Sequence, residues 1–223
     1  MTQDSVIKEI ADLIPTLDGW CTPERACELA AIVIGLKPQT SVCIGVWGGR
    51  DTFALAMAHR FNGFGRCVAI DPWQAKASIV GQDKENAAWW GNQQMHDEVY
   101  GKFIANVAKL GLDEWMKVYK QTAAEVLAPK SIGLLIVDGN HGPDSIADVN
   151  HFAPNVTIGG VAYLDDINWP SGDVAEAVKR LISFGFTELY NRDTGEFFQR
   201  TQILTPKDPS AKKRKYTRKI RIK

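Results

Sequence analysis

The sequence lacks long hydrophobic runs and contains only four cysteines. Its longest strongly apolar stretch, residues 30–36, is far shorter than the ~20 residues that cross a bilayer, so we expect no contact with a membrane. The residues after Met1 do not form the basic and then apolar pattern of a secretory signal. The cysteines show no CxxC spacing, which disfavours a disulfide framework and a structural zinc site. We therefore expect a reduced, cytoplasmic protein.

The absence of net charge conceals an asymmetry along the 223 residues. Residues 207–223 contain nine Lys or Arg and a single acid, whereas the preceding residues contain 17 basic and 25 acidic side chains. We predict one domain over residues 1–205 and a basic, disordered tail over residues 206–223. The charge density of the tail suits an anionic partner such as nucleic acid, and a solvated terminus without a partner is the alternative.

Strand and helix patterns alternate along the chain. Seven short apolar segments, at residues 41–47, 67–70, 117–120, 132–137, 158–164, 187–190 and 196–201, have the composition of strands. Amphipathic helical patterns separate most of them, and the last two are joined by a turn-rich segment. The predicted fold class is α/β: a doubly wound, mostly parallel, seven-stranded Rossmann-like sheet with one antiparallel strand and helices on both faces. Residues 74–110 form a long connection that we predict to be a lid or insertion.

Four segments follow the predicted parallel strands, at residues 45–49, 71–73, 138–141 and 165–166. In open parallel sheets, ligands bind beyond the carboxyl ends of the strands. Three of the four segments carry carboxylates, which are costly to place at the edge of a core. The candidate site is therefore at this edge of the sheet.

The first of these segments, Gly-Val-Trp-Gly-Gly, can turn sharply and lie close to a ligand. It is not the GxGxxG pattern of dinucleotide-binding proteins, and a simple tight turn explains it equally well. Asp71, at the end of the next strand, can accept both ribose hydroxyls of an adenosine-containing ligand. NAD and S-adenosylmethionine share that ribose, so these residues alone do not separate the two cofactors.

The motifs GWCTPE (19–24), SVCIGVWGGRDT (41–52), IDPW (70–73), QTAAEVL (121–127), LIVDGNH (135–141) and GGVAYLDDINW (159–169) occur in this order. Together they resemble class I S-adenosylmethionine-dependent methyltransferases. The closer resemblance is to methyltransferase family 24, which is similar to the caffeoyl-CoA, catechol and macrocin type O-methyltransferases. It extends over roughly residues 19–185, and DGNH with the later Asp-Asp pair is its most specific part.

The resemblance implies a set of residues around S-adenosyl-L-methionine. In this sequence they are Cys43, Gly45, Trp47, Gly49, Asp71, Trp73, Thr122, Ala123 and Asp138. Two positions depart from the family pattern, because many relatives have an acid where Cys43 stands and often another where Thr122 stands.

The resemblance also implies a divalent-metal site formed by Asp138, Asp165 and Asp166, in which Mg²⁺ or a similar cation holds the acceptor hydroxyl. The alternative is that these acids cap helices and loops without a metal. Asp138 and His141 are the catalytic candidates. His141 is a candidate general base because its ordinary pKa lies near neutrality, although it could equally orient Asp138 or the loop that follows.

The expected function is metal-assisted O-methylation of a small-molecule or sugar hydroxyl. Tryptophans of residues 73–90 and Tyr100 would either cover the acceptor or pack a satellite core. A nucleic-acid methyltransferase is disfavoured, because the Asp/Asn-Pro-Pro-aromatic motif is missing after the fourth strand. The remaining alternative is a non-catalytic, nucleotide-binding Rossmann-like protein whose basic tail binds an anionic partner. Expected partners are a small-molecule acceptor, nucleic acid at the tail and a second copy of the chain in a homodimer.

Overall fold

The computed structural model describes residues 2–204. Within that range the helices are α1 (Gln3–Leu13), α2 (Pro23–Leu36), α3 (Arg50–Asn62), α4 (Ala75–Ser78), α5 (Lys84–Trp90), α6 (Gln93–Lys109), α7 (Pro143–Phe152) and α8 (Asp173–Ser183). The strands are β1 (Thr40–Ile44), β2 (Arg66–Ile70), β3 (Met116–Tyr119), β4 (Ile132–Val137), β5 (Val156–Leu164), β6 (Phe186–Arg192) and β7 (Gly195–Arg200). Short 3₁₀ helices lie at Ile14–Thr16, Ala123–Glu125 and Ala153–Asn155.

All seven strands form one sheet in the order β3-β2-β1-β4-β5-β7-β6. Neighbouring strands are parallel except at β7, which is antiparallel to both β5 and β6. This arrangement confirms the predicted mostly parallel sheet with one antiparallel strand. The strand order reverses between β1 and β4, and the open crevice of such a fold lies beyond the carboxyl ends of those strands.

Both faces of the sheet are covered. Helices α1, α2 and α3 pack with the inner part of α6 on one face, where Leu29, Phe53 and Phe103 are completely buried. Helices α7 and α8 cover the other face around Phe152 and Leu181. All six residues of β4 are buried, as expected for a central strand with helices on both sides.

The residues at both ends of helix α2 explain where it begins and ends. The Thr22 side chain accepts a hydrogen bond from the backbone N–H of Arg25, Pro23 occupies the first helical position, and Lys37 ends the helix in a left-handed conformation. Helix α1 was not predicted. Its buried residues Val6 and Ile10 are four positions apart, and this short stripe gives a weaker signal than the longer helices do.

The connection from β2 to β3 contains α4, α5 and α6. Helix α6 packs Val99, Phe103 and Val107 against the sheet, whereas none of the residues of α5 is buried. The exposure expected of a lid is therefore confined to residues 76–95, none of which is buried. The basic tail lies outside the described residues. No helix among residues 2–204 is long and apolar enough to span a membrane.

Candidate active site

A cavity of about 730 Å³ lies at the carboxyl ends of β1, β2, β4 and β5. All four strand-end segments selected from the sequence contribute residues to its wall. Its volume lies in the range of small-molecule and cofactor sites. The position is also the one that the reversal of strand order predicts for a ligand.

The structure brings most of the predicted site residues to this cavity. Its wall includes Gly45, Trp47, Asp71, Thr122, Ala123, Asp138, His141, Asp165 and Asp166. Three of the predicted cofactor residues lie elsewhere. Cys43 is enclosed in the core within β1, Trp73 is completely buried, and Gly49 lies against the rings of Phe53 and Phe103.

The turn after β1 requires a glycine at position 45. Gly45 has a φ of +80°, and a Cβ atom added there would lie 1.9 Å from the carbonyl oxygen of Asp138. A side chain at this position would therefore separate the end of β1 from the end of β4. Gly45 holds the two strand ends together at the base of the cavity.

Asp71 ties this turn to the end of β2. Its Oδ2 atom accepts hydrogen bonds from the backbone N–H groups of Val46 and Trp47 at 2.9 and 3.0 Å, and its Oδ1 atom accepts one from Trp73 at 2.6 Å. Burial raises the pKa of Asp71, although these three hydrogen bonds oppose the rise. Because Oδ1 has only one of these partners, it keeps capacity to accept a ligand hydroxyl.

Three residues at the rim of the sheet are held in the left-handed region without being glycine. Trp47, Trp73 and Asp166 have φ values of +49°, +45° and +49° and follow β1, β2 and β5. Such conformations cost on the order of 1–3 kcal/mol and cluster at functional sites. Their position at the ends of three strands agrees with the location of the cavity.

The guanidinium of Arg25 lies in the cavity wall and contacts three carboxylates. Arg25 is 3% exposed. Its Nη2 atom lies 3.1 Å from Asp51 and 3.4 Å from Asp138, and its Nη1 atom donates a hydrogen bond to Asp165. The hydroxyl of Tyr163 accepts a further hydrogen bond from Nη1 at 3.0 Å. The negative charges raise the pKa of Arg25 even though burial opposes them. The side chain therefore remains a cation and offsets much of the repulsion among the acids.

Asp138, His141 and Asp166 converge in the cavity. One potential ligand atom from each lies within 4.8 Å of the others, and Nε2 of His141 is 3.0 Å from Oδ2 of Asp166. The ring of His141 also packs on Trp169, with 4.4 Å between centroids. The carboxylate of Asp165 is not part of this trio and is bound instead by Arg25, Tyr163 and Thr194.

Burial shifts the pKa values of this group in different directions. It raises the pKa of Asp138 well above its ordinary value, with a further rise from the charge of Asp165. Burial also raises the pKa of Asp166 and lowers that of His141. Burial would raise the pKa of Asp165 as well, but Arg25 and the hydrogen bond from Thr194 hold it below its ordinary value. Asp165 is therefore ionised and His141 favours its neutral form at neutral pH.

Four tryptophans meet at the mouth of the cavity. Trp89 and Trp90 of α5 contact each other with 4.6 Å between ring centroids, and Trp90 lies 4.9 Å from Trp47. Trp20 lies 5.6 Å from Trp89 and is 65% exposed. Trp73 and Tyr100, which the sequence grouped with these residues, pack instead on each other at 4.8 Å, and Trp73 also packs on the core residue Phe103. The predicted aromatic group thus divides into a mouth cluster and a core pair.

Sequence reasoning did not select Arg25, Asp51, Trp20 or Asp148, all of which line the cavity. For the three charged residues, the sequence did contain a sign of their role in the site. Arg25, Asp51 and Asp148 each stand four residues before a buried apolar residue of the same helix, at Leu29, Leu55 and Phe152. A charged residue on the apolar stripe of a helix is unusual and indicates a buried polar contact.

Comparison with known families and structures agrees with this geometry. Residues 42–167, more than half of the chain, match the family model described as a methyltransferase domain, Methyltransf_24. No curated protein is significantly similar to the chain. The fold is similar to that of the O-methyltransferase NovP, with a TM-score of 0.68 and 15% identity over 90% of this chain and 98% of that one.

Two further solved structures share the fold. The O-methyltransferase TomG from Streptomyces achromogenes, in complex with S-adenosylmethionine (SAM), has a TM-score of 0.59 and 15% identity, over 90% of this chain and 92% of TomG. An O-methyltransferase from Bacillus cereus, in complex with S-adenosylhomocysteine (SAH), has a TM-score of 0.57 and 14% identity, over 91% and 93% of the two chains.

The chain therefore belongs to methyltransferase family 24, the family that its motifs predict. The sheet and the position of the cavity are those of a class I methyltransferase, and the protein is an enzyme of that class.

Proposed function

We propose that this protein transfers the methyl group of S-adenosyl-L-methionine to a hydroxyl oxygen of a small molecule or sugar, assisted by a divalent cation. The observation that carries the proposal is the convergence of Asp138, His141 and Asp166 at 4.8 Å or less, in a cavity whose other end is formed by the Gly45 turn and Asp71. A methyl donor and a hydroxyl acceptor could be held side by side there.

The cavity has the features that the cofactor requires. Its volume of about 730 Å³ accommodates a ligand of this size, and Asp71 offers an acceptor for a ribose hydroxyl beside the turn formed by residues 45–49. The described carboxylates of the wall favour the positively charged sulfonium at the reacting end. We assign Gly45, Trp47, Asp71, Thr122, Ala123 and Asp138 to the cofactor, because all six line the cavity.

The side chains that converge in the cavity also have the chemistry of a cation site. Carboxylate oxygens are the ligands that Mg²⁺ and Mn²⁺ prefer, and the raised pKa values of Asp138 and Asp166 reflect burial that a bound cation would compensate. We propose that Asp138 and Asp166 bind it, and that Asp165, which the family pattern also includes, contributes mainly through its ion pair with Arg25. A bound cation would favour the deprotonated form of an acceptor hydroxyl.

The protein side chains orient the acceptor and remove its proton. His141 favours the neutral imidazole, the form that can accept a proton, and its contact with Asp166 holds the ring at the cation site. Methyl transfer is an in-line displacement, so alignment of the oxygen, the methyl carbon and the sulfur accounts for much of the expected rate.

The tryptophans at the mouth provide the surface for the acceptor. Trp20 and Trp89 keep 65% and 45% of their surface exposed beside the cavity, where aromatic faces can pack on a planar ring or on the apolar face of a sugar. Helix α5 has no buried residue, so we propose that it moves to admit the acceptor and closes over it. A small molecule therefore remains the proposed partner of this site.

The test is methyl transfer from labelled S-adenosylmethionine to a panel of catechols, phenols and sugars, with Mg²⁺ or Mn²⁺ and then with excess chelator. The proposal expects labelled product from at least one acceptor, and loss of turnover with the chelator. As a control, His141→Gln should reduce kcat on the order of 10²–10⁴-fold while Mn²⁺ still binds. Full turnover in the chelator would contradict the role of the cation.

A further inference from the structure

Asp148 is a buried carboxylate that the proposed chemistry does not use. It lies on α7, is 8% exposed and lines the cavity. Among residues 2–204, no hydrogen bond or ion pair to its carboxylate is present. A charged group in this position loses most of its hydration without replacement, which is costly unless a ligand supplies a donor.

The wall beside Asp148 includes small apolar side chains. Helix α7 packs on the 3₁₀ helix Ala123–Glu125, and His151 of α7 contacts the carbonyl oxygen of Val126 at 2.9 Å. Ala123, Ala124 and Ala147 line the same cavity. A Cβ atom added to Gly139 would lie 4.0 Å from Oδ2 of Asp148, so the carboxylate sits beside the loop after β4. This surface suits a planar ring that carries one hydrogen-bond donor at its edge.

A neighbouring polar side chain of this wall, Thr122, is already engaged. The hydroxyl of Thr122 donates to Glu125 at 2.7 Å, and the backbone N–H of Thr122 donates to the same carboxylate at 2.9 Å. Glu125 therefore caps its own 3₁₀ helix. Asp148 keeps free acceptor capacity on the helix that packs against Ala123–Glu125, whereas Asp71 lies at the end of β2.

We propose that Asp148 accepts a hydrogen bond from the exocyclic amino group of the cofactor's adenine and so selects the base. The inference rests on the proposed use of an S-adenosyl cofactor. Adenine is planar, stacks on small apolar residues and presents this amino group at its edge. Burial, with a contribution from the charge of Asp144, raises the pKa of Asp148 to about 7; a donor on the ligand would favour the ionised carboxylate.

The experiment compares two ligands by calorimetry: SAH and its deaminated analogue, S-inosylhomocysteine, which has a carbonyl oxygen in place of the amino group. The wild-type protein should bind SAH at least tenfold more tightly, because the analogue places an acceptor against a carboxylate. Asp148→Asn should reduce or reverse this preference, since the amide can donate to the carbonyl. Glu176→Gln is the control. It alters an exposed acid of the neighbouring helix α8 that pairs with Lys179, and it should leave the preference unchanged.

The possible outcomes distinguish a failure of this inference from a failure of the proposed function. A preference that is the same in the wild type and in Asp148→Asn would overturn the inference while leaving the proposed cofactor in place. Equal weakening of both ligands by Asp148→Asn would also overturn it, because the carboxylate would then face the ribose or the amino-acid part. Failure of the wild-type protein to bind SAH would overturn the proposed function and the inference together. Thermal unfolding of each variant verifies that it is folded.

Discussion

Arg25 on α2 forms a buried ion pair with Asp165 at the end of β5, 140 positions later in the chain. The same guanidinium reaches Asp51 and Asp138, so one side chain connects α2, α3, β4 and β5. Breaking a buried pair by removing one partner leaves the other charge without compensation. Arg25 therefore sets both the stability of this end of the sheet and the position of the acids beside the cavity.

We predict that Arg25→Met lowers the free energy of unfolding by about 3–5 kcal/mol. Chemical denaturation at pH 7 measures the change. Lys8→Met is the control, because the pair between Lys8 and Asp12 is exposed and should contribute at most about 1 kcal/mol. The double variant Arg25→Met/Asp165→Asn should lower the free energy of unfolding by less than the sum of the two single substitutions. Additive losses would contradict direct coupling between the two residues.

Binding of the cation should depend on Asp166 more than on Asp165. With SAH bound, Asp166→Asn should weaken Mn²⁺ binding by at least tenfold, because a converging ligand is lost. Asp165→Asn should weaken it less, since the carboxylate of Asp165 is bound to Arg25 and Thr194. Calorimetric titration of Mn²⁺ into each variant gives the comparison. The proposed ligand assignment fails if Asp165→Asn has the larger effect.

Asp71 should contribute both to cofactor binding and to the stability of the turn after β1. Asp71→Asn removes part of the acceptor capacity that holds Val46, Trp47 and Trp73. We expect SAH to bind about 10- to 100-fold more weakly, which corresponds to about 1.4–2.8 kcal/mol, and the melting temperature to fall. Asp18→Asn is the control for an acid of the cavity wall, because Asp18 pairs with exposed Lys102. Unaltered SAH binding in Asp71→Asn would remove Asp71 from the cofactor site.

The sequence predicted the sheet and the location of the site because both depend on local patterns. Apolar runs such as residues 132–137 mark central strands, and the acids that follow them mark strand ends. The different partners of Asp165 and Asp166 could not be predicted, because Asp165 pairs with an arginine contributed by a distant helix. Likewise, Trp20 and Trp89 meet only through the tertiary fold.

Asp148 should make the protein less stable as the pH rises. Its pKa is about 7 in the folded protein and 3.8 ordinarily, so between those values the folded state holds a proton that the unfolded chain has lost. Stability therefore decreases from about pH 4 to about pH 7. Asp148→Asn removes this contribution.

The free energy of unfolding of Asp148→Asn should accordingly exceed that of the wild type at pH 8, by about 1–4 kcal/mol, and approach the wild-type value at pH 4. Urea denaturation across this range, expressed as the difference between the two proteins, isolates Asp148 from the other buried acids. A difference that does not change with pH would contradict the burial of an ionisable, unpartnered carboxylate.

The most direct test of the central claim is calorimetric titration of the wild-type protein with S-adenosylmethionine, SAH and NAD. The account predicts saturable binding of both S-adenosyl ligands with one site per chain, and no saturation with NAD under the same conditions. Tight binding of NAD, with no heat from either S-adenosyl ligand, would contradict it.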